Sequence, residues 1–418
     1  MMQLLSFFKD GIRQMAHGGR GYWLWLIGLT VVIVFGVSNY LDQFQSGLVV
    51  TGMSDQVSWG AYIANFTYLV GVAAAAVMLV IPAYIFHRKD IRHVVLIGEG
   101  LAVAAVTMCM LFVTVDLGHP ERIWHMFPII GHFHWPASML AWDVVVLSGY
   151  LFLNLTIPMY ILFCRYRGRE PNPKIYLPGV FVAIAWAISI HTVTAFLFSS
   201  NVGRPFWHYA LLAPRFLASA FAAGPALIVL ALQIIERNSR LKFDRSVINT
   251  LGLIIAVSLQ IDIFFELAES FNEFYFPTAH TVGATYMFFG LGGARGIAPF
   301  TWGALAMMLV AAAILTVHPW RRRMGLFNLA CVLTVIGIWI EKGIDLIIPG
   351  FVPTPIGEVF QYRPTAREVV ICLGIWATGA LVFTLLAKAA IPIEMGAVRA
   401  TDLPRQLSGP QELSRPAA

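Results

Sequence analysis

The stretch VTVDLGHPERIWHMF, Val113–Phe127, decides how this chain folds. It closes an apolar run that begins near residue 94. As a helix that run crosses the roughly 30 Å of hydrocarbon in a bilayer. It ends in an acid, Asp116, and then turns at Gly118-His119-Pro120. Glu121, Arg122, Trp124 and His125 follow at once. A membrane helix with protonatable chemistry gathered at one rim is the reading this pattern imposes.

The rest of the chain repeats the first half of that pattern. Of its 418 residues, 58% are hydrophobic and only 12% charged, and its mean hydropathy is +0.74. Soluble domains carry about 25% charged residues, so the bilayer is the solvent that suits this composition. Ten runs are long enough to span: 21–40, 59–86, 94–117, 138–164, 176–198, 213–235, 247–271, 300–318, 325–348 and 366–390. The eighth is the shortest. Met1–Met15 sets Leu4, Leu5, Phe7, Phe8 and Ile12 against Lys9, Asp10 and Arg13. It reads as an N-terminal interfacial segment (1–20) rather than a cleaved leader, with a frayed terminus as the alternative. Cys109, Cys164, Cys331 and Cys372 have no CxxC spacing and read as apolar cysteines without a metal or a disulfide.

Basic residues alternate between the two ends of the spans. One side collects 21 Lys and Arg, from Lys9, Arg88, Lys89, Arg165, Arg240 and Arg321 among others to the tail residues Arg405 and Arg415. The other has six: Arg122, Arg204, Arg215, Arg295, Arg363 and Arg367. The remaining cation, Lys342, lies within a span. The positive-inside rule then makes the basic side cytoplasmic, with both termini on it. The charge of +6 reads as topology and not as nucleic-acid binding. After residue 392 a polar, Pro-rich tail (393–418) is expected to be poorly ordered or surface-bound.

The third span ends FVTVDLGHPERIWHMFP and the seventh DIFFELAESFNEFYFP. Each closes on an acid before Leu, then polar residues, aromatics and a Pro. Four spans apart, they suggest repeat-like units at about 59–198 and 213–348 inside a ten-span membrane domain, 21–392.

Ionisable groups in hydrocarbon are costly and are functional candidates for that reason. Here they are Glu99, Asp116, Asp143, His191, Asp262, Glu266, Glu269, Glu341, Lys342 and Asp345, with Asn65 as a neutral companion. All but Glu99 lie towards the outer end of their spans. The alternative for each is an interfacial, wet acid, with Lys342 pairing Glu266 or Asp345 to hold spans together. Asp116 alone could cap the next turn, with Arg122 pairing Glu121 or Asp116. Polar groups from five spans at one level suit a cavity inside the bundle.

What that cavity serves is narrowed by exclusion. Only His191 of eleven histidines lies well inside a span, so paired axial ligands for haem b are missing. His132 and His134 in GHFHW make a weak metal motif. There is no Walker, dinucleotide, Fe–S or Ser–His–Asp pattern. Carboxylates, one buried histidine and many aromatics near one face are what quinol oxidation needs: partners for two oxygens that take protons as electrons leave. The electrons must pass to another protein.

DLGHPERIW (116–124) resembles the acid–Leu–Gly–x–Pro–x–Arg–aromatic motif of the NrfD/PsrC family of quinone-binding membrane subunits. WGAYIANFTYLVG (59–71), HTVTAFLFSSNVGRPFWH (191–208) and PRFLASAFAAG (214–224) are similar to its early span, His span and small-residue helix. The likeness is greatest to the DsrP branch, of the membrane complex linked to dissimilatory sulfite reduction. The resemblance implies an all-α integral membrane fold of two four-helix bundles plus two flanking helices, in a bacterial or archaeal cytoplasmic membrane. It implies a menaquinone or ubiquinone site near the periplasmic face and a periplasmic ferredoxin-like [4Fe–4S] subunit. For the sulfite-linked branch, the further partners are a multihaem cytochrome c, a haem-b membrane subunit and a cytoplasmic Fe–S subunit. Carried onto this chain, it gives Asn65, Asp116, Arg122, His191 and Arg204, walled by Trp59, Trp124 and Trp207. Asp143 joins them from depth alone. Arg122 and His125 are expected to dock the partner. Glu99, Asp262, Glu266, Glu269 and Lys342 are the candidates for a proton path. Three readings stay open: a quinol-handling subunit, a proton-conducting bundle, and a bare anchor for a redox module.

Overall fold

The computed structural model describes residues 2–400 apart from positions 87, 89, 90, 128, 240, 280 and 355. Lys89, Arg240, His280 and the tail from residue 401, with Arg405 and Arg415, lie outside the described residues. Within them the regular structure is helical, save one isolated bridge, Leu291 with Ala294. In hydrocarbon each backbone N–H and C=O must be satisfied within its own segment, which a helix does.

Helix α1 is Met2–Met15. The spans are α2 Arg20–Ser46, α3 Ala61–Tyr84, α4 Val94–Asp116, α5 Met139–Tyr166, α6 Pro173–Ser199, α7 Leu212–Asn238 and α8 Arg245–Tyr275. A short helix α9, Thr281–Phe289, precedes α10 Ala298–Thr316, α11 Met324–Phe351 and α12 Ala366–Glu394. The ten spans match the ten apolar runs. Starts are set by side chains that accept from free backbone N–H groups: Ser138 for α5, Asn172 for α6, Asp244 for α8, and a Thr365/Glu368 capping box for α12.

Three features differ from the sequence expectation. Helix α2 runs six residues past 40, because Gln43 is not a terminal polar residue. It is buried, its amide donates to the Val115 carbonyl at 2.7 Å, and it accepts from the Tyr62 hydroxyl at 2.6 Å. Helix α9 occupies a segment expected to be loop; at nine residues it is too short to register as a span. Third, α3 departs from α geometry at Ala74–Ala76 and again at Ile81–Ile85, where Pro82 supplies no N–H.

The packing follows two closed circuits of contact. In one, α3, α4, α5 and α6 each touch the next and α6 returns to α3; in the other, α7, α8, α10 and α11 do the same. The circuits meet where α7 packs on α3 and α6 and where α11 reaches α3. Helices α2 and α12 pair with each other, and α12 also lies on α4. Helix α1 crosses beneath α12 and α5, burying Phe7 against Tyr166 and Ile393.

The α2–α12 pair depends on glycine. A Cβ on Gly36 would stand 2.7 Å from the Gly374 Cα, so the two backbones touch there. Between membrane helices, where no hydrophobic force operates, such close approach supplies the packing. Gly36→Leu should therefore cost about 1–3 kcal/mol and lower the thermal midpoint of the purified protein. An unchanged midpoint would mean that α2 is held chiefly by its Gln43 bonds.

Candidate functional site

The densest polar structure lies where α7, α8 and α11 converge, towards the end opposite the basic loops. Arg215 is three residues into α7 and buried. Its guanidinium pairs with Glu266 and with Glu341, and donates to Glu269 at 2.8 Å. Glu266 and Glu269 are three apart on α8 and so share a face. Glu341 comes from α11, at a π turn over Ile340–Ile344. Such turns reorient side chains inside a helix and recur at functional sites.

The same turn delivers Lys342. The alternative that paired it with Glu266 or Asp345 does not hold among the described residues. Its ammonium donates to the Phe216 carbonyl at 3.0 Å and sits 4.2 Å from the Phe216 ring centroid. The space exists because residue 71 on α3 is glycine: a Cβ there would lie 3.2 Å from Nζ. Lys342 thus occupies the seam between the two circuits. Asp345, one turn on, accepts from Thr301 at 3.0 Å. Asp262 is fully buried and neither of its oxygens has a partner among the described residues. The layer borders a narrow cavity with Tyr209, Phe206, Met287 and Phe288 on its wall. Burial, with Glu269 beside it, pushes the Tyr209 phenol well above its ordinary value, so Tyr209 keeps its proton.

Across the seam, His191 is fully buried on α6. Its Nδ1 lies 2.9 Å from the Ala187 carbonyl, while Nε2 has no partner among the described residues. Lys342 lies across the seam from it. One turn away Thr194 donates to Asp143 of α5 at 2.9 Å. Above them an aromatic roof closes the circuit. Trp59 stacks on Trp207 with centroids 5.4 Å apart, and Phe198 and Phe351 meet both edge-on. Trp207 is anchored by its indole N–H to the Leu346 carbonyl at 2.7 Å, and the Arg204 guanidinium covers the Phe351 ring at 4.6 Å.

The structure thus gathers Trp59, Asp143, His191, Arg204 and Trp207, and beside them Asp262, Glu266, Glu269 and Lys342. It sets the others apart. Asn65 is spent on structure: its carbonyl accepts from the indoles of Trp339 at 3.0 Å and Trp376 at 2.8 Å, and its amide donates to the Ala61 carbonyl. Asp116 sits at the α4 rim near Glu368, with Oδ1 unpartnered among the described residues, and caps nothing. Glu121 pairs with His119 at 2.9 Å and not with Arg122. Arg122, Trp124 and His125 are exposed on a short turn, Pro120–Met126, with Trp124 and His125 ring to ring at 3.8 Å. Glu99 is buried alone towards the basic end, in a recess with Tyr150 and Asn154.

Arg215 escaped the sequence reading because it sits at a span start and counted there as a loop cation. Its signal, an arginine inside the small-residue run PRFLASAFAAG, becomes legible only once α7 is known to face the acids of α8. Among the described residues no group of three or more His, Cys, Asp or Glu is arranged to hold a metal ion. All four cysteines are free, Cys109 and Cys331 buried and the other two half-buried.

Comparison with known proteins matches residues 49–354 to the family model described as polysulphide reductase, NrfD. The chain is 26% identical over 412 residues to a provisionally named dimethyl sulfoxide reductase membrane subunit of Halobacterium salinarum, covering 87% of this chain and 89% of that one. It is 24% identical over 388 residues to the Hdr-like menaquinol oxidoreductase integral membrane subunit of Archaeoglobus fulgidus, covering 88% and 92%. It is 24% identical over 413 residues to a selenate reductase subunit of Mesobacillus selenatarsenatis, covering 87% and 93%.

Removing one member of a buried ion cluster leaves its partners uncompensated, at about 3–5 kcal/mol. Arg215→Ala is expected to destabilise the protein by that amount in thermal or denaturant unfolding. Arg215→Ala combined with Glu266→Gln and Glu341→Gln should recover much of the loss. Equal destabilisation by the single and the triple variant would contradict the pairing.

Proposed function

The chain belongs to the NrfD family, and on that premise we propose that it is the quinone-handling membrane subunit of a respiratory oxidoreductase complex. Its quinol head group sits beneath the Trp59/Trp207 roof against His191. The observation that carries this is the Nε2 of His191: fully buried, without a partner among the described residues, between the Thr194–Asp143 pair and Lys342. A buried polar atom left without a hydrogen bond costs about 1–3 kcal/mol, so the site gains from a ligand oxygen there. In the roof, Trp59 and Phe198 meet edge-on and offer aromatic surface to a flat ring.

Oxidation of a quinol to its quinone releases two protons and two electrons. His191 and Asp143 are placed to accept protons at the ring oxygens. The layer behind Lys342 sets two cations, Arg215 and Lys342, against five carboxyls, Asp262, Glu266, Glu269, Glu341 and Asp345. This excess of carboxyls over cations is where the released protons are received in the proposed reading. Electrons leave to a partner. The exposed apolar side chains of the 117–138 loop, Ile123, Trp124, Phe127, Ile129, Ile130 and Trp135, suit a docking face for the ferredoxin-like [4Fe–4S] subunit, with Arg122 and His125 at its edge. This end is then periplasmic and both termini cytoplasmic, as the basic loops require.

The relatives' names refer to dimethyl sulfoxide, menaquinol and selenate, so the terminal reaction is set by the partners. We place this chain in the sulfite-linked branch on its motifs, with a multihaem cytochrome c, a haem-b subunit and a cytoplasmic Fe–S subunit beside it. Either menaquinone or ubiquinone fits the site. Asn65, Asp116 and Trp124 are then outside the head-group shell: Asn65 is saturated, Asp116 marks the rim, and Trp124 faces the partner.

Titration with a quinol-site inhibitor should quench tryptophan fluorescence saturably in the native protein. His191→Ala should abolish the saturable phase while thermal stability holds. Saturable quenching of equal affinity in both would remove His191 from the site.

A second activity has its own support in Glu99, which is buried in a recess of the α3–α6 circuit with no hydrogen bond among the described residues. It is suited to receive protons from the cytoplasmic side. In proteoliposomes, Glu99→Gln is expected to abolish any proton uptake coupled to turnover and leave inhibitor quenching intact. Unchanged uptake would make Glu99 structural.

A further inference from the structure

At the basic end, α1 closes a cavity of about 210 Å³ between α4, α5 and α12. Phe7, Leu96, Val103, Pro158, Phe383 and Leu386 represent its walls, and Asn154 is the one polar side chain on them. Four wall residues are also exposed: Phe8, Ile12, Leu155 and Met159. They mark a mouth between α1 and α5 that opens sideways into the bilayer.

Voids of this size are rare in a close-packed interior. An engineered apolar cavity of about 150 Å³ stays dry and takes up benzene. Here the surrounding solvent is hydrocarbon, so a chain from the bilayer is the natural occupant. Asn154 offers too little for a ring with two polar oxygens; its amide already donates to the Tyr150 carbonyl at 2.9 Å.

The charge at the mouth is specific. Lys9 and Arg13 lie one turn apart on α1, both exposed, with no ion pair among the described residues. Asp10, between them in sequence, is engaged elsewhere: it accepts from the Tyr166 hydroxyl at 2.6 Å. By helix geometry Lys9 neighbours the mouth residue Ile12, three positions on, and Arg13 follows Lys9 one turn later on the polar side of α1. We propose that this cavity takes an acyl chain of one anionic phospholipid of the basic-side leaflet, its head group held by Lys9 and Arg13, with α1 as the clamp. Asn154 also lines the recess of Glu99. The bound chain therefore seals that recess sideways against the membrane. The site does not depend on the quinol reading.

The full chain should be purified in mild detergent and its retained lipid identified by native mass spectrometry, then exchanged against anionic or zwitterionic phospholipid. One anionic phospholipid per chain is expected to resist exchange by zwitterionic lipid. Lys9→Gln and Arg13→Gln should each weaken retention about fivefold. Gly100→Phe should expel the lipid without lowering the thermal midpoint, because a Cβ at Gly100 meets nothing closer than 3.9 Å. Retention of zwitterionic and anionic lipid alike, no retained lipid, or an isoprenoid quinone displaced by Gly100→Phe would each overturn the proposal.

Discussion

A guanidinium buried in hydrocarbon has to be neutralised where it stands, and the neutralisation of Arg215 organises the second half of this molecule. Glu266 and Glu269 come from α8 and Glu341 from α11, so one side chain on α7 ties three helices together at a single depth. That demand accounts for the π turn at Ile340–Ile344, which brings Glu341 to Arg215 and Lys342 to the seam in consecutive positions. Opposite that turn, Gly71 leaves the room that the Lys342 ammonium fills. Charge, local helix geometry and residue size at the seam are thus one constraint seen at three scales.

The first half of the molecule meets a different demand. Its polar groups are few and spread along the bundle axis. His191 and Asp143 lie towards the far end under an aromatic roof, and Glu99 lies alone towards the basic end. The seam joins the sparse circuit to the crowded one through Lys342. On the proposed reading, a head group that gives up protons beside His191 is next to a layer rich in acceptors, and its electrons pass to a partner. That reading gives proton and electron separate exits: protons into the charged layer, electrons towards the exposed loop of Trp124 and Ile129.

The spans were legible because about twenty apolar residues in a row admit one structure in a bilayer, and the depth of each ionisable residue followed from them. Partnership was not legible. Asn65 has the chemistry of a head-group ligand, but two indoles from α11 and α12 take its carbonyl, and no local pattern tells which helices will pack there. The alternative for Lys342 matched it with acids on charge alone, yet a carbonyl and a ring hold it. Arg215 was read as a loop cation because a span boundary is blurred by a few residues, and three residues decide whether an arginine is wet or buried. The first apolar run ended at 40, while the helix continued to Ser46 and buried Gln43.

The most direct test is photoaffinity labelling of the native protein with an azido-quinone, followed by mapping of the labelled peptides. The account predicts label on α6 around His191 and on the Trp59 and Trp207 segments, competed by excess unlabelled quinone. Label confined to the α2–α4–α12 corner around Asp116, or to the basic end beneath α1, would contradict it.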